Sequence, residues 1–256
     1  MRLAGETAII TGGAMGIGAE IARLFAAEGA AVTVADIAEA AGEDVVAGIR
    51  EAGGEARFVR CNVARAADVA RAVRATVAAH GQLTIAVLNA GIDIAGGVVD
   101  TSEAEFWRCL RVNLGGVFHG MKFAIPAMLA AGRGSIVAVA SIQALMGFRS
   151  YAAYAAAKGA VVALTRQVAC DWGPRGIRAN TICPSTVLTP MVQAELDRSD
   201  DPGALMRSWV EPHPLGRIGT PADVARAALY LASAESAWVT AQTLVIDGGV
   251  TGRGFH

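Results

Sequence analysis

The chain carries little charge. Asp, Glu, Lys and Arg make up 18% of its 256 residues, and 22 basic against 23 acidic side chains leave a formal charge of −1. There is no basic block, so the electrostatics give no support to a nucleic-acid partner. Cysteines are few, and Cys61, Cys109, Cys170 and Cys183 show no CxxC spacing. They read as reduced, mostly buried thiols. His80, His119, His213 and His256 are scattered without a Cys or carboxylate at ligand spacing, so no metal is expected. The charge-free run Gly134 to Phe148 contains Ser135, Ser141 and Gln143. It falls short of the ~18 apolar residues that a spanning helix needs, so no membrane partner is expected. The opening Met-Arg-Leu-Ala-Gly-Glu lacks the long apolar stretch of a signal peptide. These absences together point to a cytoplasmic, metal-free globular protein.

What the chain does have is apolar mass. Hydrophobic residues are 54% of it, and the mean hydropathy is +0.43, so a substantial core is within reach. Short β-branched runs at Thr7–Thr11, Ala31–Ala35, Ala56–Cys61, Thr84–Asn89, Gly134–Ala140, Ile177–Cys183 and Thr243–Ile246 read as strands. Alanine-rich amphipathic stretches near 17–28, 39–52, 66–79, 103–131, 151–172 and 221–232 read as helices. Strands that are apolar throughout belong in a parallel sheet covered on both faces, and the alternation predicts a doubly wound α/β fold of about seven strands. Thr220-Pro221-Ala222-Asp223 offers a helix N-cap, a proline at N1 and an acid at N3, while Gly29 and Gly81 read as helix stops. Pro184, Pro190, Pro202, Pro212 and Pro214 share a window with Asp197, Asp200 and Asp201, which predicts a long excursion over the sheet edge at about 185–214. With no repeat, linker or low-complexity tract in view, the expectation is one domain over residues 1–256.

Candidate chemistry gathers at strand ends. Thr11-Gly12-Gly13-Ala14-Met15-Gly16-Ile17-Gly18 follows the first strand and opens the first helix. Glycines let the backbone approach a phosphate closely, and the helix's free amides then face the anion. Taken alone the loop is also an ordinary βα turn; its place in the first βαβ unit favours the phosphate. Asp36 ends the second strand, where a carboxylate accepts both adenosine ribose hydroxyls and repels a 2′-phosphate, although such an acid is also a plain cap. No Arg or Lys stands at 13–15 or 37–38 to neutralise that phosphate, so NAD is favoured over NADP.

Tyr154 and Lys158 are i and i+4 on a predicted helix and share a face. An ammonium beside a phenol stabilises tyrosinate, which can take an alcohol's proton or, protonated, give one to a ketone. The same spacing also occurs in ordinary helix-surface pairs. Tyr151 has only Ala155 at i+4 and reads as a decoy. Ser141 follows the apolar strand Ile136–Ala140 and either hydrogen-bonds a substrate oxygen or caps a turn. Asn89-Ala90-Gly91 ends the fourth strand and suits close cofactor approach. Asn113, among Leu110, Val112, Leu114 and Val117, either holds a water near Lys158 or is a satisfied core amide.

On these residues the chain resembles the short-chain dehydrogenase/reductase superfamily along nearly its whole length. The resemblance rests on the TGxxxGxG loop at Thr11–Gly18, Asp36, Asn89-Ala90-Gly91, Asn113, Ser141 with Tyr154-xxx-Lys158, Pro184 to Thr189, and Ile246-Asp247-Gly248-Gly249. It implies a single Rossmann-like domain and an NAD-dependent oxidoreductase that interconverts a secondary alcohol and its carbonyl. Tyr154 is then the acid/base, Ser141 the oxygen-orienting donor, Lys158 the group that binds the nicotinamide ribose and lowers the phenol's pKa, and Asn113 the anchor of a relay water. Cofactor contacts are implied for Gly12, Met15, Gly16, Ile17, Gly18, Asp36, Asn62, Val63, Asn89, Ala90, Gly91, Tyr154, Lys158, Pro184, Val187 and Thr189, with Thr189 on the carboxamide.

The chain departs from the family pattern twice. Asn62-Val63 stands where Asp-Val is usual beside the adenine, and Pro184-Ser185 replaces Pro-Gly. Neither change removes a catalytic group. Ser141, Gln143 and Tyr154 are the substrate-facing candidates, with Met146, Phe148, Met191, Trp209 and His213 as pocket-lining ones. The final third is similar to sugar dehydrogenases and more distantly to hydroxysteroid dehydrogenases, and with aromatics at only 5% a polar alcohol, sugar or cyclic alcohol is favoured. The alternatives are an NADPH-dependent ketoreductase of acyl-carrier substrates and an inactive NAD-sensing regulator. The resemblance also implies a homotetramer, built through the doubly apolar helices 103–131 and 151–172, and the tail Val250–His256 is expected to reach a neighbouring subunit.

Overall fold

Residues 1–253 are described by a computed structural model. Seven strands form one parallel sheet: β1 (Thr7–Thr11), β2 (Ala31–Asp36), β3 (Ala56–Arg60), β4 (Ile85–Leu88), β5 (Gly134–Val139), β6 (Ile177–Pro184) and β7 (Thr243–Ile246), in the order β3-β2-β1-β4-β5-β6-β7. The interior strands β1, β4 and β5 are buried at every position, and the edge strand β7 is only half-buried throughout. That gradient is what a sheet covered on both faces produces.

The helices are α1 (Gly16–Ala27), α2 (Glu39–Glu51), α3 (Ala66–His80), α4 (Glu103–Asn113), α5 (Gly115–Ala130), α6 (Ala152–Trp172), α7 (Pro190–Asp197), α8 (Pro202–Val210) and α9 (Pro221–Ala232). On one face Ile21 and Phe25 of α1, Val45, Val46 and Ile49 of α2, and Val224, Leu229 and Leu231 of α9 pack on Ile10, Val34, Val87 and Val137. On the other, Val69 and Val73 of α3, Val117, Met121 and Met128 of α5, and Val161 and Val168 of α6 pack on Ile9, Leu88, Ile136 and Ala138. Both faces of one sheet are thus buried, as the uninterrupted apolar strands require. Among the described residues no helix is long and apolar enough to cross a membrane.

Two expectations are corrected. The single helix expected over 103–131 is interrupted at Leu114, giving α4 and α5. There the Asn113 amide bonds back to the Cys109 carbonyl at 3.0 Å, and two glycines follow, a pairing that weakens helix continuity. The expected excursion over 185–214 is largely helical. Thr189 caps α7 and Asp201 caps α8, each with proline at N1. By contrast Gly81 takes a left-handed φ of 81° at the end of α3, and the Thr220–Asp223 capping box opens α9, as expected. Strand ends shift by a residue or so, β4 losing one residue at each end to span Ile85–Leu88. Of the tail, Val250–Gly252 forms a single turn; residues 254–256 of the expected subunit contact lie outside the described residues.

This topology positions the site. The chain winds outward from β1 to β3, then returns to place β4 against the other side of β1. Loops leaving the carboxyl ends of β1 and β4 therefore diverge and leave a crevice between them.

Candidate active site

Close approach dictates the glycines after β1. Gly12 has φ +65°, and a Cβ there would lie 2.7 Å from the Ala90 Cα. At Gly18 a Cβ would lie 2.0 Å from the Gly12 carbonyl oxygen, so α1 can pack on its own loop only without a side chain. Gly16 opens α1 at φ +54° and faces Thr189. Met15, half exposed, is the N-cap and makes no side-chain bond, and the first turn holds no acid, so the leading amides are left for an anion. Ile17 is half-buried against the core.

The neighbouring strand ends brace this cradle. Asp36 is half-buried and accepts hydrogen bonds from the backbone N–H groups of Ala14 and Ala38, both at 3.0 Å. Asn89 donates to the carbonyls of Thr11 (3.2 Å) and Gly12 (3.0 Å), so its amide supports the loop from beneath. Ala90 packs against Gly12, and Gly91 is exposed at the crevice. Beyond β3, the Asn62 Oδ1 accepts from the Ala64 N–H at 3.0 Å, which fixes a tight turn and uses one lone pair of that oxygen. Val63 is buried beneath it.

Across the crevice, Ser141 follows β5 and Tyr154 and Lys158 lie on α6. The Ser141 hydroxyl accepts from the Gln143 N–H at 3.2 Å, so it does cap a turn, while its own proton stays available. Lys158 is 4% exposed, and its Nζ donates to the Val139 carbonyl at 3.0 Å and lies 5.3 Å from the Tyr154 ring centroid. Burial pulls the ammonium down to about 8. The Tyr154 phenol is pushed well above its ordinary value, chiefly by burial, then by the Asp93 carboxylate, against the smaller opposing pull of the Ser141 hydroxyl. The expected lowering of that phenol by Lys158 gives way here to desolvation, because the ammonium points to Val139 and lies over the ring face.

Asn113 is fully buried and satisfied by protein. Its Nδ2 donates to the carbonyls of Ile92 (2.9 Å) and Cys109 (3.0 Å), and its Oδ1 accepts from the Ile92 N–H at 3.3 Å. The core-amide alternative describes these contacts, and their effect is to tie the exit of β4 to α4. A Cβ on Gly91 would lie 2.6 Å from the Asn113 Oδ1 and 3.5 Å from the Lys158 Nζ.

After β6, Pro184 and Val187 are buried, and Val187 bridges to Gly219. The Thr189 hydroxyl accepts from the Val192 N–H at 3.4 Å as the N-cap of α7. Ser185 donates to the buried His213 Nε2 at 2.9 Å, while the His213 Nδ1 donates to the Trp209 carbonyl at 2.7 Å. His213 is therefore engaged with the backbone of α8 and with Ser185. Met146, Phe148 and Met191 are exposed, and the Gln143 Oε1 is enclosed without a partner among the described residues. Sequence reading passed over Asp93 and Glu195 and set Tyr151 aside as a decoy, yet their charges bear on the phenols of this region. Tyr151 bridges to Gly96, and its phenol is raised by burial and then by Asp93 and Glu195.

The family described as enoyl-(acyl carrier protein) reductase matches residues 12–251. The chain is 39% identical over 250 residues to 2-(S)-hydroxypropyl-CoM dehydrogenase 3 of Xanthobacter autotrophicus, with 98% of each chain covered. It is 41% identical over 251 residues to a 2,5-dichloro-2,5-cyclohexadiene-1,4-diol dehydrogenase of Sphingobium indicum, with 97% of this chain and 98% of that one covered. The crystal structure of levodione reductase superposes with a TM-score of 0.95 at 31% identity, covering 99% of this chain and 100% of that one. With its doubly wound sheet and its glycine cradle facing Ser141, Tyr154 and Lys158, the chain belongs to the short-chain dehydrogenase/reductase superfamily and is an oxidoreductase acting on CH–OH groups.

Proposed function

We propose that the protein is an NAD-dependent dehydrogenase of a small secondary alcohol, a sugar or cyclic alcohol among the candidates, with Tyr154 as its acid/base. The observation that carries this reading is the grouping of Tyr154, Ser141 and the buried Lys158 across the crevice from a glycine loop with no room for a Cβ at Gly12 or Gly18. The cradle fits a dinucleotide: Gly12, Met15, Gly16, Ile17 and Gly18 would meet the pyrophosphate, and Asp36 the adenosine ribose. Asn62 and Val63 would meet the adenine. Asn89, Ala90, Gly91, Pro184, Val187 and Thr189 would line the path to the nicotinamide ribose and ring, where Lys158 binds hydroxyls. The nicotinamide supplies the hydride acceptor or donor.

The chain's own residues handle the proton and the oxygen. Tyr154 takes the hydroxyl proton during oxidation and returns it during reduction, while the free Ser141 proton hydrogen-bonds the same oxygen. A buried phenol with a raised pKa rests protonated at neutral pH. Oxidation, which needs tyrosinate, should therefore speed up as pH rises, and reduction should be favoured toward lower pH. Asn113 keeps Gly91 close to Lys158. Its proposed relay water would draw on the lone-pair capacity that Ile92 leaves on its Oδ1.

NAD over NADP rests on Asp36, whose charge already faces the loop amides and would oppose a 2′-phosphate. The reductase named in the matching family favours a second reading, an NADPH-dependent ketoreductase of acyl-carrier substrates. Asp36 and the formal charge of −1 weigh against it. Comparing kcat/KM for NAD with cyclic alcohols against NADPH with ketoacyl thioesters tests the choice. A clear advantage for the second pair would replace the proposal.

A further inference from the structure

One pair of side chains closes the base of the excursion that carries α7 and α8. Ser185 follows the carboxyl end of β6, and His213 lies just beyond α8, 28 residues further along the chain. The Ser185 hydroxyl donates to the His213 Nε2 at 2.9 Å, and the His213 Nδ1 donates to the Trp209 carbonyl at 2.7 Å. His213 is 5% exposed, so both ring nitrogens are engaged inside the protein. Gly248 packs on the ring: at φ +61°, a Cβ there would lie 3.2 Å from the His213 Cδ2.

The helices between the two residues have little else to hold them. α7 buries only Leu196 and α8 buries no residue, and the two pack chiefly on each other. The first part of the excursion keeps anchors of its own. Val187 bridges to Gly219, the Leu188 N–H donates to the Gly219 carbonyl at 2.9 Å, and Thr189 abuts Gly16 of the glycine loop. The far end has fewer. Among the described residues, two side-chain hydrogen bonds tie residues 205–213 to the rest of the fold. One is Ser185–His213, and the other runs from the exposed Arg253 Nη1 to the Glu211 carbonyl at 3.0 Å.

We propose that Ser185 and His213 are positioning residues for the alcohol: their hydrogen bond holds α8 at the mouth of the crevice and thereby sets substrate affinity. The inference rests on the alcohol-dehydrogenase reading of the site. With its base clasped, the excursion has less freedom to lose when a substrate orders it. Without the Ser185 hydroxyl, the buried Nε2 is left unpaired and α8 gains motion that binding must then remove. Tyr154, Ser141 and Lys158 stand on other elements, so the proton transfer itself is unchanged.

Ser185→Ala and Ser185→Thr in the full chain, with NAD and either cyclohexanol or cyclohexane-1,2-diol, test the clasp. The Ala variant should raise the alcohol KM about tenfold, the scale of one buried hydrogen bond, with kcat and NADH affinity within about twofold of wild type. The Thr variant keeps the hydroxyl and should recover most of the loss. His213→Asn should show the same split, and joining it to Ser185→Ala should add little, because a single bond is lost in each case. A fall in kcat with KM unchanged, no change in either, or a Thr variant as impaired as Ala overturns the proposal. If the wild type oxidises neither alcohol, the dehydrogenase reading fails separately, and hydrogen exchange still reads the clasp. Amides of residues 205–210 should then exchange about tenfold faster in Ser185→Ala, with those of α9 unchanged. Equal exchange in the two proteins overturns the proposal as well.

Discussion

Tyr154 and Lys158 set the behaviour of the site at the scale of single residues. Replacing Tyr154 with Phe removes one oxygen and leaves the ring packing. Turnover should fall by about 10²–10⁴-fold, the usual worth of a positioned acid/base, while NADH binding followed by dihydronicotinamide fluorescence persists. Loss of both together would point to a structural role instead. Lys158 carries a cost of its own. Its ammonium is pulled from the ordinary 10.5 to about 8 by burial, so the unfolded chain holds that proton more tightly than the folded one. Wild-type stability should therefore rise from about pH 8 to about pH 10.5, the unfolded state binding more protons across that window. Lys158→Met should be inactive and yet more stable without cofactor at pH 7, by on the order of 3 kcal/mol at most, with the gain vanishing by about pH 10.5. Thermal melts across pH check this; a Met variant less stable at neutral pH would contradict the burial account.

The scale of elements shows why some of the molecule was legible in the sequence and some was not. The glycine loop was legible because close approach leaves no alternative residue. Gly18→Ala should lose NAD binding altogether, since its Cβ would meet the Gly12 carbonyl at 2.0 Å; a melt should show the fold surviving with a lower Tm. A Gly18→Ala protein that binds NAD as tightly as the wild type would show that the loop can open. The capping signal Thr-Pro located α9 correctly, and the same chemistry at Thr189-Pro190 and Asp201-Pro202 starts α7 and α8, in a window where the density of prolines suggested irregular chain. The break at Leu114 was hidden because Asn113 was weighed as a functional amide, while its bond back to Cys109 competes with the helix ladder.

For the whole molecule, the sheet order explains why modest motifs combine into one site. Thr11–Gly18, Asp36, Asn62, Asn89–Gly91, Ser141 and Pro184–Thr189 each lie at the end of a different strand, and a parallel sheet puts all of those ends on one edge. The alternation of strands and helices was enough to expect that, since apolar strands joined by helices have few other ways to be covered. The outer faces of α4, α5 and α6 remain open. Trp107 is 51% and Phe118 48% exposed, and with Leu110, Leu114 and Leu164 they line an apolar groove of the kind that marks a contact with another chain. We propose that it is covered in a homotetramer. Light scattering should give four times the 26.2 kDa chain mass, and Trp107→Glu with Phe118→Glu should reduce it. A monomer in the unaltered protein would contradict the assembly.

The central claim is that a nicotinamide nucleotide in the glycine cradle and the Tyr154 phenol act on one alcohol. The most direct test follows nicotinamide absorbance with NAD and a panel of cyclic alcohols, sugars and diols, comparing wild type with Tyr154→Phe. The account predicts turnover on at least one alcohol class, rising with pH and lost in the variant. Tight NAD binding with no turnover on any alcohol, or turnover that survives Tyr154→Phe undiminished, would contradict it.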